Sequence, residues 1–165
     1  MGKYYYFVAQ LPFLQFDKKP AIARIQFLQE AKKWLNDTDF RNLVRASMDS
    51  FTPQAEDTEI LKAYKNFEKS LREEIVLTRK ASKEGVEFKT FGIIKPSLLE
   101  GNPLEVEKKL LKLRWDFIEA QEKEHFFDLG LVILYFLKLQ ILERLFTFDK
   151  EKGLEAFDSL CEVKK

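Results

Sequence analysis

Apolar residues recur every three or four positions along most of the chain, which is the spacing of one helix face. The first helix is predicted after Pro20, a residue suited to a first turn, and its apolar positions are Ile22, Ile25, Leu28, Trp34 and Leu35. Residues 36–38 interrupt this pattern and can cap a second helix. The second helix is marked by Phe40, Leu43, Val44 and Met48.

A long helix is predicted after Thr52 and Pro53, a hydroxyl cap followed by a proline at the first helical position. Its apolar face advances in alternating steps of four and three through Ile60, Tyr64, Phe67, Leu71 and Ile75. A helix from Asp57 to Lys83, ended by Gly85, would measure ~40 Å. A compact chain of this size has a radius of gyration of only ~15 Å, so the pattern predicts an elongated molecule.

A second long helix is predicted at Asn102, because a cap, a proline and Glu105 follow one another there. Its seam consists of Val106, Leu110, Leu113, Phe117 and Ala120. With the loop 85–101 between them, the two long helices are expected to run antiparallel within one domain, 1–165. Asp128 is predicted to cap a central helix that is apolar nearly all round to Phe148, and Asp149 to cap a last helix.

Two segments leave alternatives open. Residues 4–9 are rich in β-formers and predict either a short strand or a turn of helix, which Pro12 ends. The loop 85–101 is apolar without helical spacing and predicts a hairpin or an ordered loop. Each segment either packs on the chain's own helices or forms an exposed docking patch. The candidate partner-binding residues are therefore Tyr4, Tyr6, Phe88, Phe91, Ile93 and Ile94.

The composition excludes several classes of protein. Hydrophobic residues make up 45% of the chain, which is enough for a packed core, and the formal net charge is only +1. Without a basic stripe, neither nucleic-acid binding nor a polybasic membrane anchor is expected. The apolar run 129–137 is too short for a membrane span, which needs roughly 20 residues. A single cysteine and no signal-peptide pattern favour a reducing, cytoplasmic location.

Catalytic and metal-binding motifs are scarce. Glu122 and His125 have the Glu-x-x-His spacing of a di-iron ligand pair, but two such pairs are needed and the chain has one histidine. A dyad of Cys161 and His125 lacks any catalytic signature, and we interpret Cys161 as a small apolar residue. Residues 37–48 lack the glycine and glutamate of a calcium loop. No phosphate-binding or dinucleotide glycine pattern occurs. We therefore expect no enzyme, no cofactor and no metal.

Four polar residues lie on the otherwise apolar helix after Asp128: Lys138, Gln140, Glu143 and Arg144. They form either a narrow solvated stripe with local pairing or a buried polar cluster that fixes packing against a partner.

Three stretches together carry a resemblance. Residues 1–12 read MGKYYYFVAQLP, residues 125–144 read HFFDLGLVILYFLKLQILER, and residues 149–153 read DKEKG. They resemble an uncharacterised bacterial family encoded within V-type ATPase operons and thought to stand where the C-type (in eukaryotes d-type) stalk protein stands elsewhere. The resemblance implies an all-helical protein between rotary shaft and membrane ring that transmits torque without binding nucleotide. A C-type stalk protein is about twice as long, so this chain would supply only part of such a funnel.

The sequence thus predicts an all-α, elongated helical bundle with two long antiparallel helices. The leading functional hypothesis is a non-catalytic, soluble subunit or accessory of a bacterial V-type ATPase, in contact with shaft and ring proteins and reaching the membrane only through them. The alternative is a helical adaptor or regulator of another pathway. A third hypothesis is an enzyme with carboxylates in a helical cleft. Neither a nucleic acid nor a small-molecule substrate is expected.

Overall fold

A computed structural model describes residues 3–86 and 92–148. Within these ranges the chain is all-α, without a strand, so the predicted helical-bundle class is confirmed. The helices are α1 (Tyr5–Gln10), α2 (Arg24–Trp34), α3 (Asp37–Val44), α4 (Glu59–Glu84), α5 (Pro103–Glu122) and α6 (Leu129–Phe146), with a 3₁₀ turn at Pro96–Leu99. The predicted last helix, and with it Cys161, lies outside the described residues.

Three of the six α-helices described begin where a side-chain cap was predicted. The amide oxygen of Asn36 accepts from the Asp39 backbone N–H at 2.8 Å, and that of Asn102 accepts from the Glu105 N–H at 2.9 Å. Asp128 accepts from the Leu131 N–H at 2.9 Å. Each cap satisfies one of the free donors of a first helical turn. At the other end of α4, Gly85 takes up a left-handed conformation with φ of 67°.

Two predicted helix starts are wrong, and one ambiguity is resolved. The helix expected directly after Thr52 begins only at Glu59, with Thr58 as its cap. Residues 54–57 form a turn before this helix. In that turn the Asp57 carboxylate accepts a hydrogen bond from the Gln54 N–H at 2.7 Å and also forms an ion pair with Lys65. The helix expected after Pro20 starts at Arg24. Residues 5–10 form a helix rather than a strand.

The centre of the main core is α6, as its nearly all-round apolar pattern predicted. Ile133, Leu134 and Leu137 on this helix are fully buried. The ring of Phe27 on α2 stacks against Tyr135 and Phe136 at centroid distances of 5.3 and 5.5 Å. Burial of these large side chains is the main source of stability.

A second, smaller apolar cluster joins α4 and α5, and its buried members are Leu71, Ile75, Ile94, Val106 and Leu110. Across this interface the carboxylate of Glu68 on α4 binds Arg114 on α5. Even so, α5 packs more extensively on α6 than on α4. The elongated shape built on an antiparallel pair of long helices stays a prediction.

Part of the loop 85–101 packs on the chain's own helices. Ile94 is buried in the second cluster, and the carboxylate of Glu74 accepts from the backbone N–H groups of Gly92 and Ile93 at 3.2 and 3.1 Å. A carboxylate that accepts two backbone donors fixes the loop against α4.

Candidate protein-interaction site

Aromatic side chains lie together where α1 meets the turn between α5 and α6: Tyr5 packs against Tyr6 and Phe127, and Phe126 is the residue before Phe127. We call these four residues the aromatic corner. The ring of Tyr5 lies 4.7 Å from that of Phe127 and 5.5 Å from that of Tyr6. Tyr6 and Phe126 are 62% and 73% exposed, far more than large aromatic side chains usually are. The corner is therefore an aromatic surface open to solvent.

The backbone under the corner is strained. Phe127 has a φ of 54°, a left-handed conformation that is a genuine outlier for a bulky residue. Its carbonyl accepts a hydrogen bond from the Tyr4 N–H at 2.9 Å, which attaches the start of α1 to this turn. Strained conformations persist where the surroundings hold them, and they concentrate at binding and switch sites.

The imidazole of His125 stabilises the same turn between α5 and α6 through a hydrogen bond to Asp128. Nδ1 of His125 lies 2.7 Å from the Asp128 carboxylate, whose other oxygen caps α6. The ring packs so close to Gly130 that a Cβ there would lie 2.4 Å from Nδ1. The histidine is thus positioned by the Asp128 cap and by the close approach of Gly130.

Tyr4, the residue before Tyr5 of the corner, attaches α1 to α3. Its side chain is buried, and its hydroxyl donates to the Asp39 carboxylate, which also binds Lys3. Burial raises the pKa of the Tyr4 hydroxyl, and the bond to Asp39 adds to that rise. Partial burial alone would raise the pKa of Asp39, but the hydrogen bonds from Lys3 and Tyr4 outweigh it and lower that pKa.

The six predicted partner-binding residues occupy different environments. Tyr6 is exposed in the corner, whereas Tyr4 and Ile94 are buried within the chain. Ile93 is partly buried against the second cluster. Phe88 and Phe91 lie outside the described residues. Sequence reasoning missed Phe126, although two adjacent phenylalanines before a helix cap fit no apolar face and could have drawn attention to it.

An open pocket of about 220 Å³ lies beside the corner. Its walls are apolar and come from α1, the segment that follows it and α6: Val8, Leu11, Pro12, Phe13, Leu14, Leu131 and Tyr135. The Tyr135 hydroxyl donates to the Pro12 carbonyl at 2.8 Å, which holds the segment in place, and burial raises the pKa of this hydroxyl.

The charged members of the pocket are Glu122 and Lys138. Nζ of Lys138 lies 2.6 Å from Glu122 and 3.5 Å from Glu119, over the ring of Trp115. The indole N–H of Trp115 donates to Glu119 at 2.8 Å. Two carboxylates therefore face one ammonium group, and one of them, that of Glu119, lies outside the lining of the pocket.

Of the four polar residues of α6, two lie at the surface, as a solvated stripe would, and two are buried. Glu143 and Arg144 pair at the surface with Arg24 and Glu107. Lys138 and Gln140 are buried. Gln140 bonds to the Ala46 carbonyl and the Met48 N–H, so it fixes the α3–α4 connection of its own chain.

Within residues 3–86 and 92–148 no group of three His, Cys, Asp or Glu side chains is arranged to hold a metal ion. The Glu-x-x-His pair is used internally, since Glu122 binds Lys138 and His125 binds Asp128. In the same part of the chain, no helix combines the length and the apolar character that crossing a membrane requires.

The fold and the site define a helical bundle with an exposed aromatic corner. Residues 97–165, which include α5, α6 and the turn with Phe126 and Phe127, match the model of a family described as "Protein of unknown function (DUF2764)". The likeness to an uncharacterised family is thus confirmed for this part of the chain, and the description assigns neither activity nor partner. No curated protein and no solved structure shows significant similarity.

Proposed function

We propose that this chain is a non-catalytic, protein-binding component that docks through the aromatic corner. The observation that carries the proposal is the exposure of Tyr6 on α1 and of Phe126 on the α5–α6 turn, two elements that the hydrogen bond from the Tyr4 N–H to the Phe127 carbonyl joins. Aromatic side chains are enriched in protein–protein interfaces because they bury a large area with few rotatable bonds. The left-handed Phe127 and the braces at His125 and Asp128 keep this surface preorganised.

We further propose that the partner is a bacterial V-type ATPase, in which the chain is a subunit or accessory between rotor shaft and membrane ring. Support comes from the resemblance of residues 1–12 and 125–144 to a family encoded with such ATPases. These two stretches are also the ones that meet in the corner. In the sequence, 112 residues separate these two stretches. A binding surface that both form together is a physical reason why both, rather than one alone, resemble the same family.

The non-catalytic part of the proposal is supported by how the polar side chains are used. Glu68 binds Arg114, Asp57 binds Lys65, and Glu122 binds Lys138. Each of these acids has its partner inside the chain, which suits a structural role better than proton transfer.

The experiment is affinity purification of the tagged chain from its native host, with mass spectrometry of what accompanies it. The proposal predicts enrichment of catalytic and shaft subunits of a rotary ATPase. Phe126→Ser is expected to reduce that enrichment, whereas Ile25→Ser on α2, where the side chain is 70% exposed, is a matched control that leaves it unchanged. Recovery of an unrelated complex through the same corner would replace the ATPase with the adaptor alternative. Equal recovery by both variants would contradict docking at the corner.

A further inference from the structure

We propose that the pocket beside the aromatic corner receives one apolar side chain of a partner protein, flanked by a lysine or arginine of the same partner. This inference rests on the proposed protein-binding function and specifies the chemistry of the segment that binds. The charge at the pocket and its size both lead to it.

The size of the pocket fits one side chain better than a drug-sized ligand. Pockets for drug-sized ligands measure roughly 300–1,000 Å³, whereas a cavity of about 150 Å³ holds a benzene ring. At about 220 Å³, the space between Leu11, Leu131 and Tyr135 accommodates one leucine- to phenylalanine-sized group. Single anchors of this kind in a desolvated pocket dominate the energy of many interfaces.

The charged residues at the pocket favour a positive charge on the partner, next to the apolar side chain that enters the pocket. Glu122 lines the pocket together with Lys138, whose side chain is only 7% exposed, and Glu119 contacts the same ammonium group from outside the lining. The carboxylates are more open than the lysine, with Glu119 and Glu122 at 49% and 24% exposure. A ligand that approaches from solvent therefore meets carboxylate oxygens before it meets the ammonium group. A cation gains an ion pair there, and an anion is repelled.

The pocket and the aromatic corner share α1, and the turn of the corner leads directly into α6, which lines the pocket. On α1, Val8 of the pocket follows Tyr5 of the corner by three residues, one helical turn. Leu131 of the pocket follows Phe127 by four residues. A partner segment that covers the corner is thus within reach of the pocket, and the two can form one continuous interface.

The test uses two probes that match in their apolar part and differ in charge: 2-phenylethylammonium and 3-phenylpropanoate. Each is titrated into the isotope-labelled full chain, and binding is followed by NMR shifts of the Leu11, Leu14 and Leu131 methyl groups. The cation is expected to bind about fivefold more tightly than the anion, which is the size of one partly exposed ion pair. Tighter binding of the anion, or no shift of these methyl groups with either probe, would overturn the proposal.

A pair of variants assigns the charge preference to the pocket. Glu122→Gln keeps the shape and is expected to abolish the preference for the cation, while Glu124→Gln, two residues along on the exposed surface, keeps it. Nuclear Overhauser contacts from another part of the chain, or concentration-dependent shifts without any probe, would show that the chain itself or a second copy fills the pocket, and would also overturn the proposal. Loss of ATPase subunits in the purification leaves this test untouched, so the two failures are distinguishable.

Discussion

The backbone N–H of Tyr4 donates to the carbonyl of Phe127 at 2.9 Å, and this bond joins the start of the chain to the turn before its central helix. The residue that accepts it has a left-handed backbone, and its ring covers Tyr5. One local arrangement thus sets both the position of α1 and the exposure of Tyr6 and Phe126. Four predictions follow for the contacts around the aromatic corner and for the buried ion pair between α4 and α5.

Strain at Phe127 predicts an unusual order of stability for two small substitutions. Phe127→Gly and Phe127→Ala both lose the ring, but only glycine adopts the left-handed backbone without a steric cost of roughly 1–2 kcal/mol. The glycine variant is expected to be the more stable by about 1 kcal/mol in urea unfolding, against the usual preference for alanine. An alanine variant that is the more stable of the two would mean that the turn carries no strain.

The close approach of His125 to Gly130 predicts that Gly130→Ala destabilises the chain. Alanine normally favours a helix by about 1 kcal/mol over glycine, but here its Cβ would meet the imidazole ring and displace it from Asp128. We expect a net loss of about 1–2 kcal/mol in thermal or urea unfolding. In a His125→Ala background the same substitution should become neutral or stabilising. A loss of equal size in both backgrounds would refute the role of the ring.

The buried pair between α4 and α5 predicts strong coupling. Both oxygens of Glu68, which is fully buried, bind the Arg114 guanidinium at 2.8 Å. Burial works against the charge of Arg114, but the bonds to Glu68 outweigh it and raise the pKa of the guanidinium. Glu68→Leu should cost about 3–5 kcal/mol because it leaves a charge buried alone, and adding Arg114→Met should restore most of that loss.

The control for this pair is at the surface. Glu30→Ala breaks an exposed pair with Lys33 and should change the free energy of unfolding by less than about 1 kcal/mol. Additive losses in the Glu68 and Arg114 double variant would contradict the coupling.

The lowered pKa of Asp39 predicts a dependence of stability on acid. Because the carboxyl titrates lower in the folded chain than in the unfolded one, the unfolded chain binds more protons as the pH falls. The stabilising contribution is complete above the unfolded pKa, roughly 3.9, and is lost as the pH falls through the folded value. Unfolding free energies between pH 2 and 6 should therefore converge at low pH for the wild type and Asp39→Asn. A constant difference across this range would contradict the assignment.

Much of the fold could be predicted from local signals. The helix caps at Asn36, Asn102 and Asp128 and the glycine after α4 act within a few residues, so side-chain type and spacing reveal them. The apolar character of α6 likewise predicted its place in the core. The prediction of a helix start after Thr52 was wrong because the Asp57 carboxylate binds the Gln54 N–H and Lys65. Whether Asp57 makes these contacts depends on its burial in the folded chain, which the local sequence does not show.

The candidate site was less predictable for the same reason. The aromatic start was recognised as a possible surface, but burial of Tyr4 and exposure of Tyr6 depend on contacts with Asp39 and with the turn at Phe127. The pocket combines α1 and α6, which are more than a hundred residues apart in sequence. No periodicity connects Leu11 with Lys138.

The most direct test of docking at the corner is site-specific photo-crosslinking in the native host, with a benzophenone amino acid at Phe126 or, as control, at Ile25. Both positions are about equally exposed, so solvent access does not distinguish them. The account predicts a crosslink from position 126 to a rotary ATPase subunit and none to that subunit from position 25. Crosslinks to the ATPase from position 25 and none from position 126 would contradict it.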